Sequence, residues 1–64
     1  MIFDRLRELR NGAGITQQTI ADILEVKRAT YAGWETGKDI MPLRQLNKIA
    51  NNYKVSLDYV IGLN

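Results

Sequence analysis

Apolar residues recur along this chain at the three- and four-residue spacing of helices that bury one face, and the pattern is interrupted by turn-forming residues. Ile2, Leu6 and Leu9 make the first stripe, with Asp4, Arg5, Arg7 and Glu8 on the wet side, predicting a helix over residues 3–11. Gly12-Ala13-Gly14 ends it, because glycine takes the left-handed backbone that a helix C-cap needs. Ile15 then re-enters the core. Thr16 caps a second helix carrying Ile20, Ala21 and Leu24 on its buried face and ending near Leu24. Val26 continues the buried set across the turn. A third helix over residues 28–35 places Tyr31 and Trp34 inward and leaves Arg28, Ala29, Ala32 and Gly33 outward.

Beyond Gly37 and the loop Lys38-Asp39-Ile40-Met41, Pro42 falls in the first turn of a fourth helix, where its missing N–H is harmless. Leu43, Leu46, Ile49, Ala50 and Tyr53 form its apolar stripe, with Arg44, Asn47, Lys48 and Asn51 outside. Ser56 caps a short fifth helix, and Asp58 adds a carboxylate to its positive end. Leu57, Tyr59, Val60, Ile61 and Leu63 are more apolar than so short a helix can bury. Some of them are expected to face a second copy of the chain; the alternative is that Leu57, Val60 and Ile61 close the core while Tyr59 lies flat on the surface.

One placement runs against folding. Lys27 and Arg28 stand where a helix presents unpaired N–H groups and partial positive charge, costing each about 0.3–1 kcal/mol relative to a carboxylate there. A neighbouring anion reverses that penalty, and a nucleic-acid duplex supplies one. Two solvated surface cations would carry the same letters.

Sixty-four residues allow one domain, residues 1–64, which buries about 60% of its unfolded surface and is modestly stable. With 45% hydrophobic and 25% charged residues the composition is that of a globular domain. No apolar run suggests a signal peptide or a membrane span, so a cytoplasmic address is expected. The chain has no cysteine and no histidine, which removes disulfides, thiol nucleophiles, the usual zinc ligands and the commonest general base. No metal, cofactor or enzymatic activity is expected. A net charge of +2 is too small to argue for nucleic acid by itself, and the placement of the charge decides more than its sum.

The run RLRELRNGAGITQQTIADILEVKRATYAGWETGK, followed by PLRQLNKIANNYKVSLDYVIG, resembles the phage-repressor-like helix-turn-helix family of XRE or Cro/repressor type along nearly the whole chain. The markers are Thr16-Gln17, Ile20-Ala21, Leu24, Trp34-Glu35-Thr36-Gly37-Lys38, Leu46 with Ile49-Ala50, and Val55-Ser56-Leu57-Asp58-Tyr59, specific by their joint spacing. The resemblance implies an all-α, compact five-helix bundle like a lambda-repressor DNA-binding domain. Its third helix would enter the major groove, usually within a homodimer on a near-palindromic operator. It also implies that Arg10 pairs with Glu35, that Gln17 contacts phosphate, and that Glu25 and Lys54 stand where relatives often carry glycine. Ile23 departs from the polar residue common at its position and is expected to widen the core.

On this basis the base-edge candidates are Arg28, able to reach guanine O6 and N7, Lys27, Gln18, and Ala29 and Ala32 against a thymine methyl. Gly33 leaves the groove-facing end of the third helix without a side chain, so backbone approach or DNA shape would supply the readout there. Thr16, Gln17, Thr36, Lys38 and Arg44 are the phosphate candidates, Thr36 keeping a donor where relatives have asparagine. The expected function is a sequence-specific regulator, a repressor in the first instance. The alternative is an antitoxin or protein-binding adaptor built on the same bundle. The pattern is the same for a complete small regulator and for the N-terminal domain of a longer one.

Overall fold

A computed structural model describes residues 2–62, with side chains from Asp4 onward; the side chain of Ile2 and the expected interface residue Leu63 lie outside the described residues. Five helices follow in order: α1 (Ile2–Ala13), α2 (Gln17–Leu24), α3 (Arg28–Thr36), α4 (Leu43–Tyr53) and α5 (Leu57–Val60). Leu6, Ile20, Leu24, Tyr31, Ile49 and Val60 are fully buried and close one core with Ala21, Trp34, Met41, Leu46 and Ala50. Leu9, Ile15, Val26 and Tyr53 pack around it. The described molecule measures 28 × 23 × 19 Å.

Three helices end in the same device. Ile15 N–H bonds Arg10 O at 3.3 Å while Gly14 N–H bonds Asn11 O at 3.1 Å, with Gly14 left-handed at φ 71°. That pairing satisfies carbonyls the helix would otherwise strand. Val26 to Ala21 O and Glu25 to Asp22 O repeat it after α2, and Val55 to Ala50 O and Lys54 to Asn51 O repeat it after α4. Glu25 (φ 60°) and Lys54 (φ 57°) take the left-handed backbone despite their side chains. Each costs roughly 1–2 kcal/mol there.

Several boundaries differ from those the pattern predicts. Gly12 is accommodated inside α1, so the helix runs on to Ala13 and Gly14 alone turns the chain. Pro42 is the N-cap residue of α4, one position before the helix, with extended backbone at ψ 148°. Leu43 is 63% exposed, because Gln45, Leu46, Ile49 and Ala50 form the buried face and Leu43 stands at its N-terminal end, past the packed region. Ile23 is 46% exposed and does not enlarge the core.

The largest difference concerns α5. Val60 is fully buried, and Leu57 and Ile61 pack against the core from its edge. Tyr59 is half-buried, with the Arg5 guanidinium 4.0 Å above its ring centroid. Of the residues expected to meet a second copy, Val60 is buried in the protomer, while Leu57, Tyr59 and Ile61 stay half-buried. Val60 has no surface to offer.

Candidate nucleic-acid interface

The α2–turn–α3 unit is built from local chemistry. The Thr16 side-chain oxygen accepts from Thr19 N–H at 3.1 Å, capping α2, and lies 3.0 Å from the Thr19 hydroxyl. Glu25 then turns the chain, and Lys27 opens α3 in extended backbone with no side-chain cap. The first turn of α3 holds no acidic residue, so its orphan N–H groups and its cations share one end. Tyr31 and Trp34 anchor the inner side, packed edge to face with centroids 6.2 Å apart.

Behind this unit lies a polar chain that runs from the core to the surface. Arg10 Nε donates to Glu35 Oε2 at 2.6 Å and Arg10 Nη2 to Glu35 Oε1 at 3.2 Å, a forked pair joining α1 to α3. The third arm of the guanidinium, Nη1, donates to Ile15 O at 3.1 Å and holds the α1–α2 connection. Gln17 Nε2 donates to Glu35 Oε1 at 3.2 Å, and Gln17 Oε1 accepts from Arg28 Nη1 at 3.2 Å. Arg28 is thus tethered through Gln17 to the buried carboxylate.

Burial alone would push the Glu35 carboxyl up. Hydrogen bonds from Arg10 and Gln17, together with the Tyr31 hydroxyl facing it, outweigh burial and hold the carboxyl below the usual range. The same pairing raises Arg10, the Glu35 hydrogen bond outweighing the opposing effect of burial. Burial raises Tyr31, with Glu35 adding to it, and burial raises Tyr53. The hydroxyls of Tyr31 and Tyr53 and Oε1 of Gln45 are buried with no aligned hydrogen-bond partner among the described residues.

The sequence candidates divide on this surface. Lys27, Arg28, Ala29 and Gln18 are exposed on one side of the unit, and Ala32 is half-buried below them. Gln18 Nε2 is engaged by Asp22 Oδ1 at 2.8 Å, four residues along α2. Thr16, Lys38 and Arg44 are exposed, and Gln17, half-buried, retains one amide hydrogen beyond the bond to Glu35.

Two candidates change character. Gly33 is buried instead of outward, because the chain after α3 folds back over it: Asp39 N–H bonds Gly33 O at 3.2 Å, and the Asp39 carboxylate occupies the space a Cβ would need. Gly33 therefore shapes the loop and offers no backbone to a groove. Thr36 is exposed, but its hydroxyl donates to Gly33 O at 3.3 Å, so the donor expected to reach phosphate is already used. The Gln17 relay and the Asp39 cover escape a periodicity analysis, since both join segments that only the tertiary fold brings together.

The helix-turn-helix family model matches residues 6–60. The uncharacterized HTH-type transcriptional regulator YobD of Bacillus subtilis (strain 168) is 35% identical over 63 residues, covering 98% of this chain and 56% of that protein. The HTH-type transcriptional regulator AnsR of the same organism is 36% identical over 62 residues, 97% of this chain and 53% of that protein. The HTH-type transcriptional activator BcrR of Enterococcus faecalis is 31% identical over 59 residues, 92% of this chain and 29% of that protein. The chain spans about half the length of YobD and AnsR. No solved structure matches it significantly.

Proposed function

The chain belongs to the XRE-type helix-turn-helix family of DNA-binding transcriptional regulators, which are not enzymes, and from that premise we propose that it is a cytoplasmic repressor. It binds a near-palindromic operator as a homodimer. No described helix is long and apolar enough to cross a membrane. Repression is the action proposed because occupancy of promoter DNA is enough to produce it. The activator among the relatives shows that the family's regulators also work in the other direction.

The observation that carries this reading is the uncapped, cationic start of α3, where Lys27 and Arg28 stand with Arg28 held by Gln17. An anion at that end satisfies the free N–H groups and both cations together. Arg28 reads a guanine edge, Lys27, at the edge of the unit, meets the phosphate backbone of the nearer strand, and Ala29 and Ala32 meet thymine methyls. Thr16, Gln17, Lys38 and Arg44 take phosphates and fix the register.

With Gly33 covered and Gln18 engaged by Asp22, the reading face is short, and that favours a second reading: an antitoxin or adaptor whose α3 surface meets a protein. Selection from a random DNA library followed by a salt series separates the two. Phosphate neutralisation gives a linear fall of log affinity with log salt, with a slope of about −0.9 per phosphate contact. A flat response, or no enriched sequence, would favour the adaptor.

A further inference from the structure

Gly33 stands four residues after the exposed Ala29, so in helical register the two positions share the outer face of α3, one turn apart. Glycine leaves that position without a side chain, and the fold fills it from elsewhere. The Asp39 N–H bonds Gly33 O at 3.2 Å, and the Asp39 carboxylate lies in the space that a Cβ on Gly33 would take. Asp39 is nonetheless exposed, and among the described residues its carboxylate has neither a hydrogen bond nor a cation. A loop residue thus lends α3 an unengaged acceptor one turn beyond Ala29, its backbone anchored to the helix.

We infer that Asp39 is a base-reading residue, accepting from the exocyclic amine of a cytosine at a base pair other than the one Arg28 meets. The inference deepens the regulator reading above and rests on it. Phosphates repel a carboxylate, so it contributes only where it faces a donor, and the major-groove donors are N4–H2 of cytosine and N6–H2 of adenine. Adenine sets its N7 acceptor beside that amine, against a carboxylate that has no donor to offer, whereas cytosine presents its amine alone. Lys38, exposed and next in the chain, supplies the cation that lets the loop approach a phosphate. Asp39 therefore lowers affinity for DNA in general and lowers it least where cytosine is present.

Selection of the parent, Asp39→Ala, Asp39→Asn and Gly33→Ala on one random DNA library tests this, followed by affinities for the selected site, its single-base changes and random DNA. The parent should prefer cytosine at one base pair of each half-site, distinct from the one that Arg28→Ala affects. Asp39→Ala should weaken that preference by about 10-fold. It should also bind random DNA about 2–5-fold more tightly at low salt, because a like charge has gone. Asp39→Asn gains a donor and should move the preference to adenine, whose N6 and N7 an amide meets together. Gly33→Ala keeps the charge but puts its Cβ where the carboxylate lies, so it should lose the same preference without binding random DNA more tightly. Both Asp39 variants should keep the parent's melting temperature, since the bond to Gly33 O comes from the backbone.

A library that returns the parent's site unchanged for Asp39→Ala and Asp39→Asn would overturn the inference and leave the regulator reading standing. So would Asp39 variants that weaken operator and random DNA equally, or that lose the cytosine preference only along with melting temperature, since both outcomes mark a loop that merely packs. A folded Gly33→Ala that retained the preference would overturn it too, because the carboxylate would then not be presented from α3. A parent that enriched no sequence at all would remove the regulator reading and this inference together.

Discussion

Arg10 and Glu35, 25 residues apart in sequence, meet through two hydrogen bonds, with Arg10 Nε 2.6 Å from Glu35 Oε2. The pair is well desolvated, with 16% of the Arg10 side chain and 4% of the Glu35 side chain accessible. Replacing one partner strands the other. Arg10→Met should cost about 3–5 kcal/mol, a large share of the stability open to a domain of this size. Urea unfolding of parent and variant measures the difference, and coincident transitions would contradict the assignment.

The same pair sets an acid limit. Glu35 titrates below its ordinary value in the folded chain, despite burial, because Arg10 and Gln17 donate to it. An unfolded glutamate titrates near about pH 4.3. The stabilisation is therefore complete above that pH and is lost as pH falls through the lower, folded value. Melting temperature should be nearly flat from pH 7 to about pH 5 and fall below about pH 4.3. Glu35→Gln should be less stable at neutral pH and show a shallower acid fall. Equal pH slopes would exclude Glu35 as the titrating group.

Lys54 offers a change in the opposite direction. It holds left-handed backbone at φ 57° after α4, where glycine is the usual residue. Removing the side chain relieves about 1–2 kcal/mol of strain, offset by the added backbone freedom of glycine in the unfolded chain, about 0.5–1 kcal/mol. Lys54→Gly should thus be stabilising by roughly 0.5–1 kcal/mol, raising the melting temperature by a few degrees. A lower melting temperature would mean that the lysine makes a contact worth more than its strain.

The helices, their stripes and two of their caps were legible because each depends on residues within a turn of one another. Thr16 and Ser56 act on N–H groups three residues away, in Thr19 and Tyr59. The Arg10–Glu35 pair was legible only through the family resemblance, since nothing in helical spacing reports a contact between α1 and α3. Gly33 and Val60 lie deeper than expected for a related reason. Exposure is decided by what folds over a residue: the Asp39 cover leaves no local mark, and the apolar pattern of α5 alone does not decide between a partner and the core that Leu57, Val60 and Ile61 pack into. Leu43 shows the converse, an apolar residue in helical register that the core does not reach. The exposure of Lys27 and Arg28 was legible from helical register, while the Gln17 relay that positions Arg28 came from the fold.

Lys27 and Arg28 give the sharpest test, because both are unfavourable for folding and both find their use beside an anion. Their geometry differs. Lys27 is the N-cap residue, at the edge of the unit, whereas Arg28 is the first residue of α3 and is oriented by Gln17 Oε1 at 3.2 Å. Arg28→Ala should lose about 1–3 kcal/mol of operator binding, concentrated at one base pair of each half-site. Gln17→Ala should produce part of the same loss of discrimination by releasing Arg28, together with a small loss of stability from Glu35. Lys27→Ala should weaken operator and random DNA about equally and reduce the salt slope by about one contact. Neither Lys27→Ala nor Arg28→Ala should destabilise the free protein, since each removes a cation from the positive end of a helix. If Arg28→Ala kept the parent's ratio of operator to random-DNA affinity, α3 would not be the element that reads sequence, and the proposed mechanism of regulation would fail.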